Sequence, residues 1–182
     1  SDFIQTEPIE GAPATEKTEL WIFFDHDNVY VSVRCWESHP ERMIVNEMRR
    51  DSLGNILANE HISFMFDTFY DKRVSISFGV NPIGGRFEGQ TAGGQYTGDW
   101  NPIWNFATGR FSGGWAVEAA IPFKSIRYRL GRDQIWGFNI RRTSRWKNEM
   151  TYVIRIPNSV GNRALQEPSF GATLVGIEAP AG

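Results

Sequence analysis

The chain has 182 residues, of which 41% are hydrophobic and 14% aromatic, and its formal net charge is −2. That length suits a single domain with a sizeable core, and the near-neutral charge argues against nucleic-acid binding, which normally requires a basic excess. The single cysteine, Cys35, excludes an intrachain disulfide and a multi-cysteine metal site, and no run approaches the ~18 apolar residues of a membrane-spanning helix.

The first half of the chain predicts an N-terminal arm and two hairpins. Residues 1–17 are polar, contain two prolines and predict an arm or edge segment. Residues 18–25 and 28–36 are aromatic and β-branched, and the turn sequence DHDN joins them. Residues 61–69 and 72–81 predict a second hairpin, because apolar and small polar side chains alternate along its second strand with a period of two.

Helical signals are few. Residues 40–53 are the best candidate, since Pro40 can open a helix and Gly54 can end it, and they predict only a short helix or turn. Residues 122–127 predict a short helical turn between two strands.

The second half of the chain predicts further strands. Residues 82–114 are rich in Gly, Asn and Gln and are expected to mix loop with a strand around 102–111. The other predicted strands are residues 115–121, 134–146 and 150–156, with a last edge strand between Phe170 and Ile177.

This pattern predicts an all-β fold. Short strands with Gly-rich connections and no long amphipathic helix indicate an antiparallel two-sheet β-sandwich, immunoglobulin-like or jelly-roll-like, with one or two short helices. We expect the sandwich to occupy residues 18–177, with residues 178–182 as a tail.

Several segments occur together in an order typical of one family. They are EP-x-EG-x-PATEKTE (7–19), FDHDNVYVSV (24–33), FDTFYDKR (66–73), FGVNPIGG (78–85), GGWAVEAAIPFKSIRY (113–128) and WGFNIRR (136–142). The chain therefore resembles the domains similar to family 9 carbohydrate-binding modules. The subgroup it resembles lies N-terminal to predicted outer-membrane β-barrel regions in Gram-negative bacterial proteins.

The resemblance implies a β-sandwich that binds sugar without catalysis and often holds calcium. It also implies an exported protein of the periplasm or outer membrane, and a partner surface on the remainder of its own chain. The family usually opens with an Asp-Gly dipeptide and a Trp upstream of this region, so we expect its first strand either to be missing here or to lie in another chain. The family often has Asp where this chain has Ser38 and His61.

Tryptophans are the first candidate ligand-binding residues, because the apolar faces of sugar rings stack on indole and hydroxyls pair with planar polar groups. Trp36, Trp100, Trp104 and Trp146 are candidates, and for Trp100 and Trp104 a core role is equally open. Core positions are expected for three others: Trp21, Trp115 and Trp136.

A polar set forms the second candidate. Arg34, Glu118, Asn139 and Arg141 each lie on a strand face opposite apolar residues. If their strands adjoin, one sheet face carries a polar network. That network is either a concave ligand-binding face or a structural Arg–Glu network covered by the N-terminal arm.

Acidic residues near the second hairpin are candidate calcium ligands. Calcium takes six to eight oxygen ligands, and Glu60, Asp67 and Asp71 are the best carboxylate set, with Asp51 nearby. Asp25 and Asp27 form another acidic pair. The alternative is turn chemistry, which Asp favours without any metal.

Catalytic motifs are missing from the sequence. It contains no G-x-S-x-G elbow, no HExxH and no phosphate-binding loop, so no enzymatic activity and no organic cofactor are expected. His61 with Met65 could ligate a haem only if both pointed into one pocket.

The sequence thus predicts a non-catalytic module that binds glycan by aromatic stacking and hydrogen bonding. The predicted ligand-binding residues are Arg34, Trp36, Trp100, Trp104, Glu118, Asn139 and Arg141. Two alternatives stay open: a structural or docking module that packs against its parent protein without a small ligand, and a haem-binding redox module.

Overall fold

The computed structural model describes residues 2–181, and strands account for nearly half of that backbone. Within that range twelve strands form two antiparallel sheets that pack as a sandwich. The strands are β1 (Ile4–Glu7), β2 (Thr18–Phe24), β3 (Asn28–Trp36), β4 (His61–Asp67), β5 (Val74–Val80), β6 (Arg86–Ala92), β7 (Gln95–Thr97), β8 (Asn105–Phe111), β9 (Gly114–Pro122), β10 (Asp133–Ser144), β11 (Glu149–Tyr152) and β12 (Ala172–Glu178). The predicted all-β sandwich is confirmed.

The large sheet has eight strands in the order β1-β11-β10-β4-β5-β6-β7, with β12 also paired to β10. The twelve-residue strand β10 organises it. One side of β10 pairs with β4, while the other side pairs with β12 through residues 133–138 and with β11 through residues 141–144. The N-terminal segment contributes β1 to this sheet, where it pairs with β11.

The small sheet has the strand order β2-β3-β9-β8. The predicted hairpin of β2 and β3 is present, and Asp25 makes its turn because one carboxylate oxygen accepts the backbone N–H groups of Asp27 and Asn28.

The core lies between the two sheets and follows the period-two alternation of the strands. On β3 the side chains of Val29, Val31, Val33 and Cys35 are all buried. The same cluster contains Phe64, Phe66, Phe78 and Trp136 from the large sheet and Trp115 from the small sheet. Burial raises the pKa of the Cys35 thiol to about 11, because the thiolate loses its hydration there.

The helical elements are short, as expected, but their positions differ from the prediction. The segment predicted over 40–53 contains only a 3-10 turn at Pro40–Arg42, and the α-helix α1 spans Leu53–Leu57. Gly54 therefore lies inside a helix rather than ending one. The predicted turn over 122–127 is present as Phe123–Ser125. No helix among residues 2–181 combines the length and apolar content needed to cross a membrane.

The segment 82–114 is more regular than predicted. It contains the strands β6 and β7 in addition to β8. The sequence FEGQTA does not alternate visibly, because the inward-facing positions of β6 include Glu88 and Gln90. Pairing with the strongly alternating β5 makes this polar segment a strand.

The outer face of the large sheet is largely covered by the chain that follows β11. A 3-10 turn at Gly161–Gln166 packs Ala164 and Leu165 against Met65 and Tyr152, which forms a second small apolar cluster. This cover reaches β5, where the hydroxyl of Ser75 donates to the carbonyl of Leu165, and a pocket remains between the cover and the rings of Phe87 and Tyr96.

Candidate functional site

The predicted polar set is split between opposite faces of the sandwich. Arg34 on β3 and Glu118 on β9 lie on the exposed outer face of the small sheet. Asn139 and Arg141 on β10 lie on the outer face of the large sheet, where both are buried. The condition for one shared network, that these strands adjoin, is not met, because β10 lies in the large sheet and β3 and β9 lie in the small sheet.

The outer face of the small sheet carries exposed aromatic rings. Trp21 is 47% exposed and Phe23 52% exposed, so the expected core position of Trp21 is wrong. Phe23 stacks on Tyr30 with ring centroids 4.9 Å apart. The two rings border a shallow hollow of about 400 Å³, which also includes Glu118.

Trp36 lies further along the same face as Arg34. Its indole N–H donates to Glu19 at 2.6 Å, and its ring meets Phe111 edge-on. The Arg34 guanidinium lies 4.9 Å from the Phe111 ring centroid. Trp36, Arg34 and Phe111 thus form one packed group on the small sheet.

The other candidate tryptophans occupy different environments. Trp104 is 3% exposed and its indole N–H donates to the buried carboxylate of Glu88, so it is a core residue. Trp100 is half-buried against Phe78 and lines a cavity of about 540 Å³ at the edge of the sandwich. Trp146 donates its indole N–H to Glu37.

Asn139 has a structural role. Its side-chain N–H donates to the carbonyl of Phe170, and its amide oxygen accepts the N–H of Ile140. The bond to Phe170 ties the covering segment to the face of the large sheet, and the bond from Ile140 orients the amide.

The pocket left open on the large sheet has an aromatic floor. The Phe87 ring lies over Gly79, where a Cβ would approach it to 2.1 Å, and the Tyr96 ring lies over Gly89, where a Cβ would approach it to 2.3 Å. Glycine is required at both positions because any side chain would displace the ring above it. We call this space the Arg141 pocket, with a volume of about 210 Å³. Its lining residues are Leu53, Leu57, Ser63, Ser77, Phe87, Tyr96, Arg141, Asn162, Arg163, Leu165 and Gln166.

Polar groups of the Arg141 pocket are buried without full hydrogen bonding. Arg141 is 4% exposed and donates to the carbonyl of Asn162 at 2.8 Å and to His61 Nε2 at 3.3 Å. Those bonds use two of its five N–H groups, and its Nε has no partner among residues 2–181. The hydroxyl of Ser77 also lacks one there. Buried polar groups are normally paired, so a polar ligand would complete this set.

Electrostatics hold two groups at the pocket neutral. Burial and the Arg141 charge lower the pKa of His61 to about 3, so Nδ1 donates to the carbonyl of Asn59 and Nε2 accepts from Arg141. Burial raises the pKa of Tyr96 to about 12, and its hydroxyl stays a donor. With both ring nitrogens engaged, His61 does not fit an axial haem ligand, and Met65 lies in the apolar cluster under the cover.

The predicted calcium ligands do not lie together. Glu60 directly precedes β4, and Asp67 is the last residue of that strand. At about 3.3 Å per strand residue, their backbones are roughly 20 Å apart. Asp67 accepts the backbone N–H groups of Asp71 and Lys72, and Asp71 accepts those of Arg73 and Val74. These carboxylates are turn-forming groups. No group of three or more His, Cys, Asp or Glu side chains suited to a metal ion occurs in the described range 2–181, and Glu60 lies too far from Asp67 to share one ion with it.

Sequence reasoning identified Arg141 but missed its neighbours. Ser63, Ser77, Phe87 and Tyr96 had no motif of their own. The usable signal was the pair of strand glycines, Gly79 and Gly89, because a glycine inside a strand often marks the close approach of another group.

Comparison with known proteins identifies the fold. No protein-family model and no curated protein matches the chain. A family 9 carbohydrate-binding module (CBM9) from Caldicellulosiruptor kristjanssonii in complex with glucose is 15% identical with a TM-score of 0.59. The match covers 100% of this chain and 85% of that chain. The same module in complex with cellotriose gives the same identity and TM-score, with 83% of that chain covered.

A further solved structure has a higher structural similarity. A protein from Bacteroides uniformis ATCC 8492, described as a candidate carbohydrate-binding protein, has a TM-score of 0.67 at 10% identity. The match covers 96% of this chain and 85% of that chain. At such identities the likeness concerns the fold alone, and the chain has a β-sandwich fold similar to that of family 9 carbohydrate-binding modules.

Proposed function

We propose that this protein is a non-catalytic carbohydrate-binding module and that its sugar occupies the Arg141 pocket. The observation that carries the proposal is the combination of two aromatic rings packed over strand glycines with buried donors that lack partners among residues 2–181. Sugar rings present apolar C–H faces to aromatic rings and hydroxyls to polar side chains.

The size of the pocket sets the size of the ligand. Its volume of about 210 Å³ is smaller than the ~300–1,000 Å³ of pockets for drug-sized ligands. One sugar ring would be enclosed, and any continuing chain would leave past the turn at Gly161–Gln166. The solved structures with the same fold include complexes with glucose and with cellotriose, which supports a carbohydrate ligand.

A calorimetric titration with monosaccharides and short oligosaccharides tests the proposal. Tyr96→Ala removes one ring of the floor and is expected to weaken binding at least tenfold. Trp21→Ala is the matched control, because it removes an exposed ring from the opposite face of the sandwich and leaves affinity unchanged. Thermal unfolding of each variant verifies that it is folded.

Two results would contradict the proposal. If Trp21→Ala abolishes binding and Tyr96→Ala does not, the sugar lies on the small sheet. If no sugar binds at millimolar concentration, the carbohydrate function fails and the docking module becomes the better interpretation.

We also infer that the module belongs to an exported envelope protein of a Gram-negative bacterium. The support is the ordered set of motifs, such as FDTFYDKR and WGFNIRR, that resembles modules preceding outer-membrane regions. Cell fractionation of the full-length native protein is expected to place it in the periplasm or outer membrane, and recovery only from the cytoplasm would contradict the inference.

A further inference from the structure

The charge of Arg141 is not balanced by a carboxylate. Among residues 2–181 it takes part in no ion pair; it donates to a backbone carbonyl and to the neutral His61 ring, and the hydroxyl of Tyr152 lies beside it. An unpaired charge in a protein interior is costly, because it gives up hydration without gaining an opposite charge.

The neighbouring Arg142 shows the contrast. It faces the other side of β10, where it donates to the carbonyls of Lys17 and Trp36 and to the hydroxyl of Thr18. Its charge also acts on the nearby carboxyl of Glu60. Arg142 therefore has three oxygen acceptors and an acidic neighbour, whereas Arg141 has one oxygen acceptor and no acidic partner.

Acidic residues around the Arg141 pocket are already paired with other arginines, and Glu167, for example, pairs with the lining residue Arg163 at 3.6 Å. Asp51 and Glu88 lie close enough to Tyr96 to influence its hydroxyl. Glu88, however, pairs with Arg50 at 3.2 Å and with Arg86 at 3.6 Å, and Asp51 pairs with Arg50 at 3.6 Å. None of the lining residues is acidic, so Arg141 gives the pocket a positive charge.

We propose that the sugar bound in the Arg141 pocket carries a carboxylate, which makes the ligand a uronic acid residue of an acidic glycan. The inference rests on the proposed carbohydrate-binding function and names its substrate class. The planar guanidinium matches a carboxylate with two parallel N–H donors. The rings of Phe87 and Tyr96 hold the apolar face of the same sugar.

Matched pairs of sugars test this inference without any variant. D-glucuronate and D-glucose differ only in the oxidation of one carbon, as do D-galacturonate and D-galactose. In calorimetric titrations at low ionic strength, at least one uronate is expected to bind tenfold or more tightly than its neutral partner. Glucose 6-sulfate serves as an anion that lacks the planar carboxylate geometry.

A near-isosteric variant adds a second readout. Gln166→Glu places a negative charge in the wall of the pocket and is expected to weaken uronate binding at least fivefold more than it weakens binding of the matched neutral sugar. Asn105→Asp, which adds the same charge to the small sheet, is the control and leaves both unchanged. Neither change removes a core side chain.

The outcomes separate the two proposals. Equal affinity for uronates and neutral sugars overturns the acidic-glycan inference while the carbohydrate function stands. Preference for the sulfate over the uronate overturns the carboxylate assignment. Failure of every sugar to bind overturns the carbohydrate function itself.

Discussion

At the scale of single residues, Glu60 shows how burial controls ionisation. Burial raises the pKa of its carboxyl to about 7, with the nearby Glu37 adding to the shift, although backbone N–H groups of Arg145 and Trp146 oppose it. The folded protein thus holds this proton more tightly than the unfolded chain, whose value is 4.5. The folded state therefore loses stability as the pH rises from about 4.5 to about 7.

Glu60→Gln removes this ionisation. The variant is expected to be more stable than the wild type at pH 8, by about 1–3 kcal/mol, and similar to it at pH 4.5. Urea unfolding at the two pH values measures the difference. His61 has the opposite effect, because its lowered pKa costs stability as the pH falls from 6.5 towards 3. This contribution is the same in the variant and the wild type, so it cancels in the difference between their free energies of unfolding.

The control for this prediction is Glu118→Gln, an exposed position on the small sheet. This substitution is expected to change the free energy of unfolding only slightly, and by the same amount at both pH values. An identical stability change for Glu60→Gln at pH 4.5 and pH 8 would contradict the assigned ionisation.

Residue types alone were a poor guide to which tryptophans are buried. The sequence correctly predicts Trp115 and Trp136 as core residues, because both follow the apolar alternation of their strands. Trp21 follows such a run too, but β2 is an edge strand and its outer face is uncovered. Trp104 is buried because Glu88, a distant residue in sequence, accepts its N–H.

At the scale of elements, the adjacent strands β5 and β6 build the floor of the pocket. A Cβ at Gly79 would meet the Phe87 ring, and the ring is nearly buried, so it has little room to move. Gly79→Ala is therefore expected to lower the free energy of unfolding by about 1–3 kcal/mol. It should also weaken sugar binding, since the ring leaves its position.

Gly109→Ala is the matched control for this substitution. Gly109 lies in β8 of the small sheet, and a Cβ there meets no atom within 4 Å. The control should be neutral or slightly stabilising, because alanine has less conformational freedom to lose than glycine. Equal effects of the two substitutions in chemical denaturation would contradict the proposed contact.

Strands in which apolar and polar side chains alternate clearly could be predicted from the sequence, and elements without that alternation could not. The hairpin of β4 and β5 follows from its own sequence, whereas β6 becomes a strand through its partner. The helix expected over 40–53 is reduced to a 3-10 turn and a displaced helix. Local start and stop residues there do not overcome the contacts that fix Asn46 and Glu47 to Asn59.

At the scale of the whole molecule, the sequence predicts the fold class but not the position of the Arg141 pocket. Alternation identifies the two faces of each strand, yet it does not say which strands share a sheet. Arg34 and Arg141 therefore looked equivalent in sequence although they lie on opposite sides of the sandwich. Arg141 depends on cover from residues 153–171, whose path no local pattern encodes.

The buried thiol of Cys35 can report on the opening of the sandwich. Its sulfur lies in the core, 0% exposed, and its thiol holds its proton far more strongly than a free cysteine. The thiolate is the nucleophile that attacks alkylating reagents, so labelling is suppressed while the two sheets stay together. Because the sequence contains one cysteine, the rate of labelling reports how often the sandwich opens, without any engineered probe.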